Sequence, residues 1–148
     1  MRKPRTLMVV LLASAVWFTG CATSADVLKA KSEGTSKVYP VSADQAWKIT
    51  RTVFRWEGAD AIEEHRDEGY MLTSSGMNLV SAGAVMGAWV EPVDQNNTKV
   101  TVVTKRRLAT NIATTLTETT FHKRFAQAVA IVKAGKPLPA APPEEASK

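Results

Sequence analysis

Apolar residues recur at helical spacing in two stretches of the chain and at strand spacing in several others. Ala46, Ile49, Val53 and Trp56 fall on one side of a helix, and Trp47 and Phe54 widen that stripe into a broad buried face. Lys48, Arg51 and Arg55 line the opposite side, as a solvated helix surface does. Ser42-Ala43-Asp44-Gln45 predicts the start: the Ser42 hydroxyl accepts from the Gln45 amide while the Gln45 side chain reaches back. Glu57-Gly58 predicts the end. In the second helix Phe121, Phe125, Ala128, Val129 and Val132 form the stripe, and Thr115-Leu116-Thr117-Glu118 reads as its capping box. Lys133 complements the negative helix end, and Gly135 followed by Pro137 stops the helix.

Between the helices the period changes to two. Residues 61–65 and 70–74 flank Arg66-Asp67-Glu68-Gly69, a loop with glycine last that suits a hairpin with a bulge. Tyr70 and Leu72 alternate against Met71 and Thr73, as a half-buried strand requires. Residues 84–91 are more apolar and stop before Pro92. Asp94-Gln95-Asn96-Asn97 is a turn, and 99–105, with Val100, Val102 and Val103 among threonines, is the clearest strand. These four strands predict an antiparallel meander, preceded by a short strand at 37–41. The fold class is α+β, in two layers: an antiparallel sheet of four to five strands packed against two amphipathic helices.

The flanks read differently. Residues 21–36, with Ser24, Lys29, Lys31, Ser32, Glu33 and Gly34, have the composition of a mobile tether. From Lys136 onward Pro137, Pro139, Pro142 and Pro143 alternate with alanine before Glu144-Glu145, which predicts a disordered tail over 136–148. A single folded domain is therefore expected over 37–135. No internal repeat is present.

The N-terminal segment has another character. Arg2, Lys3 and Arg5 precede an apolar run over 7–18, and Phe18-Thr19-Gly20-Cys21 closes it. At about 1.5 Å per residue this run is too short to cross a hydrocarbon core of about 30 Å, so it reads as a secretory signal over 1–20. Gly20-Cys21 resembles the lipobox of bacterial lipoproteins, although Phe18 and Thr19 stand where leucine and alanine or serine are usual. The resemblance implies cleavage between Gly20 and Cys21, a lipidated Cys21 thiol and an acylated new amino terminus. Cys21 is the only cysteine, so no internal disulfide can use it. The several acyl chains would exceed what stable anchoring needs. Ala22 rather than Asp follows, which by resemblance to enterobacterial lipoproteins implies sorting to the outer membrane.

Charge then narrows the function classes. The whole chain carries +5, but three basic residues belong to the signal, leaving 16 basic against 14 acidic side chains. A balance of +2 gives no electrostatic case for nucleic acid, and Lys105-Arg106-Arg107 reads as a solvated strand end. Catalytic groups are scarce. His65 and His122 are the only histidines, and no serine elbow, HExxH or CxxC motif occurs. In Glu63-Glu64-His65 a strand turns Glu63 and His65 to one side and Glu64 to the other, so no metal set converges. For His122, beside Phe121 near a helix start, a hydrogen bond to the sheet or a loop is the expected role. No cofactor is implied, and a non-enzymatic protein is expected.

Gly83-Ala84-Val85-Met86-Gly87 has the small-xxx-small spacing of packed membrane helices, but the stretch 77–90 is too short to span and carries Asn78 and Ser81. No phosphate loop fits either. Two readings stand: a bent strand or loop packed against a helix, or a flexible lip over an apolar cleft or a partner contact. Gly83, Gly87 and Trp89 are thus the candidates for a partner or ligand contact. Trp47, Trp56 and Trp89 are expected in the core.

Taken with the signal, the segments Val38-Tyr39-Pro40, the helix holding Trp47, Ile62-Glu63-Glu64 and Lys99-Val100-Thr101-Val102 make the chain similar to small proteobacterial envelope lipoproteins of unknown function. Its strand–helix–sheet–helix unit also resembles, at the level of pattern, the domains of the BamC lipoprotein of the outer-membrane assembly machine. The resemblance implies a periplasm-facing domain held by lipidated Cys21 that serves as an interaction or structural module, with an envelope protein as partner. It brings no catalytic residues. The alternative is a small carrier holding an apolar ligand or lipid between Trp47, Phe54, Trp89 and Phe125.

Overall fold

Ser42 caps a helix as its sequence predicts: its hydroxyl accepts from the Gln45 amide at 3.3 Å and its own amide donates to the Gln45 side chain at 3.1 Å. In the computed structural model, residues 23–59, 61–75, 83–107 and 117–143 are described. Gly20, Cys21, residues 76–82, the Thr115-Leu116 half of the second predicted capping box and residues 144–148 lie outside them.

Three helices, α1 (Ser24–Lys29), α2 (Ala43–Trp56) and α3 (Glu118–Lys133), accompany five strands. These are β1 (Thr35–Tyr39), β2 (Ala61–His65), β3 (Tyr70–Ser75), β4 (Ala84–Pro92) and β5 (Thr98–Arg106). The sheet runs in the order β1-β5-β4-β3-β2, and every pairing is antiparallel. β2 to β5 form the expected meander, and β1 closes the other side by pairing with β5. Gly69 ends the β2–β3 turn at a φ of +77°, a conformation that penalises any side chain. β1 begins two residues earlier than the expected 37–41, while Val41 turns back and donates to the Tyr39 carbonyl at 2.9 Å.

The α+β class with two amphipathic helices on an antiparallel sheet is what the chain adopts. α2 and α3 cover one face, where Ile49, Val53, Phe54, Phe121 and Phe125 are fully buried against Met71, Met86, Val100 and Val102. Phe54 and Phe121 meet at 5.4 Å between ring centroids, and Tyr39 and Phe125 at 4.3 Å. Three buried threonines are satisfied by backbone: Thr50 donates to Ala46, Thr73 to Ala61 and Thr98 to Val41.

Both predicted flanks need correction. Residues 24–36 are not a tether. α1 lies on the second face of the sheet, and its Val27 is fully buried with Ala30, Tyr70, Leu72, Val85, Trp89 and Val103. A Thr23 capping box with Asp26 starts this helix, and the burial of Val27 holds it down. The tail from 136 to 143 is likewise packed rather than free. Trp56 Nε1 donates to the Pro139 carbonyl at 3.0 Å, Arg124 donates to the Pro143 carbonyl at 3.0 Å, and Leu138 joins the core margin.

The start of α3 also shifts. Thr117 is the N-cap and its hydroxyl accepts from the Thr120 amide at 3.2 Å. Glu118 is drawn to the sheet, where one carboxylate oxygen accepts the Thr35 amide and hydroxyl at 3.0 and 2.6 Å and the other accepts the Thr104 amide at 3.1 Å.

Candidate functional site

Antiparallel strands send alternate residues to opposite faces, so the register decides what each candidate residue meets. Ala84, Met86, Ala88 and Val90 of β4 enter the core beneath α2 and α3, whereas Val85, Gly87 and Trp89 face α1. Trp89, at 5% exposure, therefore lies across the sheet from Trp47, Phe54 and Phe125. Gly87 has a specific steric role. A methyl group there would sit 2.6 Å from Val27 Cγ1 and 3.1 Å from the Trp89 ring, so only glycine lets α1 come this close. Gly83 is buried at the entry to β4 with a φ of +81°, and its carbonyl accepts the Arg107 amide at 3.2 Å. Gly87 and Trp89 are covered by α1 rather than offered to a partner.

What this face offers to solvent is the surface around α1. A cleft of about 460 Å³ opens at the C-terminal end of the helix, lined by Lys29, Lys31, Ser32, Gly34, Ser36, Lys99 and Thr101. Its side chains come from three places: α1 and the short 3₁₀ turn after it supply Lys29 and Lys31, β1 supplies Ser36, and β5 supplies Lys99 and Thr101. The Ser36 and Thr101 hydroxyls bond to each other at 2.8 Å across the strands. Lys31 donates to Glu91 Oε1 at 2.7 Å and also lies over the Trp89 ring, 5.7 Å from its centroid. Lys99 Nζ is 3.0 Å from Glu91 Oε2. Hydrogen bonds from Lys31 and then Lys99 hold the Glu91 carboxyl below the usual carboxylate range. Glu91 thus joins two of the cleft's three lysines, and Lys29 forms no ion pair among the described residues.

The histidines are placed elsewhere. His122 is buried at the edge of the core: Nε2–H donates to the Thr35 carbonyl at 2.9 Å and Nδ1 accepts from the Tyr39 hydroxyl at 2.8 Å. A carbonyl can only accept, which fixes the tautomer. Desolvation pulls the imidazole below its ordinary pKa, so it stays neutral and structural. His65 stacks on Tyr70 at 4.5 Å, with Glu63 and Glu68 at 3.8 and 3.7 Å. Among the described residues no group of three or more His, Cys, Asp or Glu is arranged to hold a metal ion. A polar cleft of about 530 Å³ beside Thr104, Lys105, Arg106 and Thr119 is crossed by the Glu118 contacts to the strands.

No protein-family model and no curated protein matches the chain. Among solved structures, an uncharacterised protein from Bacillus thuringiensis aligns at a TM-score of 0.35 and 8% identity, over 65% of this chain and 93% of that one. The site must therefore be read from its own chemistry.

The lysine cleft was not among the residues singled out by sequence, because 21–36 has the small, polar composition of a linker. Thr23-Ser24-Ala25-Asp26 was the available signal: hydroxyl, two residues, carboxylate, then the apolar Val27.

Proposed function

We propose that the protein is a lipid-anchored, periplasm-facing envelope protein whose α+β domain serves as an interaction or structural module. One observation carries this reading: the single cysteine of the chain closes a short apolar run that follows Arg2, Lys3 and Arg5, with Gly20 just before it. A lone thiol at that boundary supports lipidation, and several acyl chains hold a protein to a bilayer without a spanning helix. The outer membrane is the proposed location, since Ala22 follows the cysteine. The carrier alternative loses its frame, because Trp89 is separated by the sheet from Trp47, Phe54 and Phe125.

Cys21→Ser is the test. In cells fed a labelled fatty acid, the substitution is expected to abolish incorporation of label and to move the protein from the membrane fraction to the soluble one. Unchanged membrane retention would overturn the anchor.

A further inference from the structure

Thr23, the N-cap of α1 and the first described residue, is two residues after Cys21, and two residues of extended chain span at most about 7 Å. A domain attached at Cys21 therefore keeps the start of α1 within that distance of the membrane-held residue. α1, six residues long and so about 9 Å end to end, starts at the attachment point and lies flat on the sheet. The headgroup layer of one leaflet is itself roughly 5–8 Å deep, so part of the surface around α1 must touch it.

The two flanks of α1 differ in charge. Toward its N-terminus, where Ser24 adjoins Ala61, Glu63 and Ser74, the α1 side of β2 and its turn carries Glu63 and Glu68 beside His65, while Glu64 is turned to α2 and pairs with Arg51. Toward its C-terminus lies the cleft with Lys29, Lys31 and Lys99 against Glu91, beside which Glu33 is paired with Lys105 at 2.6 Å. Two exposed apolar side chains stand beside the lysines. Leu28 is 36% exposed on α1, and Val38, 57% exposed, is opposite Lys99 in the β1–β5 register and shares its face. Lysines beside exposed aliphatic groups form the kind of surface that rests on a bilayer, with ammonium groups on phosphates and apolar side chains at the acyl boundary.

Resting on the lipid-anchor reading above, we propose that the α1 side of the domain lies against the membrane that holds Cys21, with Lys29, Lys31 and Lys99 binding anionic phospholipid headgroups. The anchor and the cleft act together, so the domain is held in one orientation rather than swinging on a leash. α2 and α3 are then presented to the aqueous side, where an envelope partner can reach them.

A thiol placed on each side tests this. Val38→Cys and, separately, Lys48→Cys on the solvent face of α2 are made in the full lipidated protein, in which Cys21 is a thioether and does not react. Each is reconstituted into vesicles of phosphatidylcholine with phosphatidylglycerol, or of phosphatidylcholine alone, and treated with a membrane-impermeant maleimide. The thiol at 38 is expected to react several-fold more slowly than that at 48 on the anionic vesicles. Adding Lys29→Glu and Lys99→Glu, or omitting phosphatidylglycerol, is expected to restore its rate. Equal rates at the two positions on anionic vesicles to which the protein is bound would overturn the orientation while leaving the anchor intact. Protection by inorganic phosphate without vesicles would make the cleft a free-anion site and overturn the assignment to lipid. Failure of the protein to float with any vesicle would instead remove the anchor, and the orientation with it.

Discussion

The Tyr39 hydroxyl donates to Nδ1 of His122 at 2.8 Å inside the protein, joining the last residue of β1 to the second turn of α3. Four residues earlier on β1, the Thr35 carbonyl accepts from the other nitrogen of the same ring. His122 and Glu118, one turn apart on α3, therefore hold Thr35 by both its carbonyl and its amide. An edge strand left open is a site for unwanted pairing, and this grip covers one end of it. Tyr39→Phe leaves a buried acceptor on His122 without its donor, an expected loss of about 1–3 kcal/mol in urea unfolding. A change below a few tenths of a kcal/mol would mean that the bond is not maintained in solution.

Acid and base act on different groups. His122 is held below its ordinary value of 6.5 by desolvation, so the unfolded chain binds a proton that the folded one refuses. Its contribution is complete above pH 6.5 and is lost as pH falls through the lowered value. Glu57 has the reverse sign. Burial raises its carboxyl above 4.5 against the opposing charge of Arg124, so its contribution is complete below pH 4.5 and is lost as pH rises through the raised value. Unfolding free energies measured between pH 4 and 8 are expected to lose the acid-side decline in His122→Gln and the alkaline-side decline in Glu57→Gln. Parallel pH curves for wild type and both variants would contradict these assignments.

Gly87→Ala tests the docking of α1. The new methyl falls on Val27 and the Trp89 ring, and overpacking of this kind costs about 1–3 kcal/mol. Trp89 is covered by α1, so its emission is expected to move to longer wavelength. Val27→Ala makes room, and a double-mutant cycle is expected to give a favourable coupling between positions 27 and 87. Strict additivity would mean that the helix does not sit on this glycine.

Truncation after Gly135 removes the acceptor for the Trp56 indole and the partly buried Leu138. The expected loss is about 1–3 kcal/mol, most of it from the indole N–H. Far-ultraviolet circular dichroism is expected to stay nearly unchanged, because α2 and α3 keep their own caps. Unchanged stability would show that the tail is not held.

Long periodic segments were legible and short or compositionally biased ones were not. α2 could be read with its cap, its face and its stop, because fourteen residues carry nearly four turns of pattern. The meander followed from period-two alternation and two strong turns. α1 was missed because six residues give less than two turns, and only Val27 and Ala30 of that stretch are buried. Strand β4 hid its two-sided burial: a run apolar at every position does not say which side meets which helix, and Trp89 was assigned to the wrong layer as a result. The tail was misread from its prolines, although Trp56, a tryptophan on a buried face, needed an acceptor that no part of α2 supplied. At the lysine cleft Lys29 and Lys31 are far from Lys99 in sequence, and the β1–β5 pairing together with Glu91 of β4 brings them near one another.

That pairing also sets an order of events. Ser36 and Thr101 are 65 positions apart, and among the described residues β5 is the strand β1 pairs with. A chain made from its N-terminus presents residues 24–39 long before β5 exists, so this stretch waits unpaired while the hairpins behind it close locally. α1 waits with it, since its seat on Gly87 and Trp89 is built from β4. Residues 24–39 thus join the folded body only after β5 has been made.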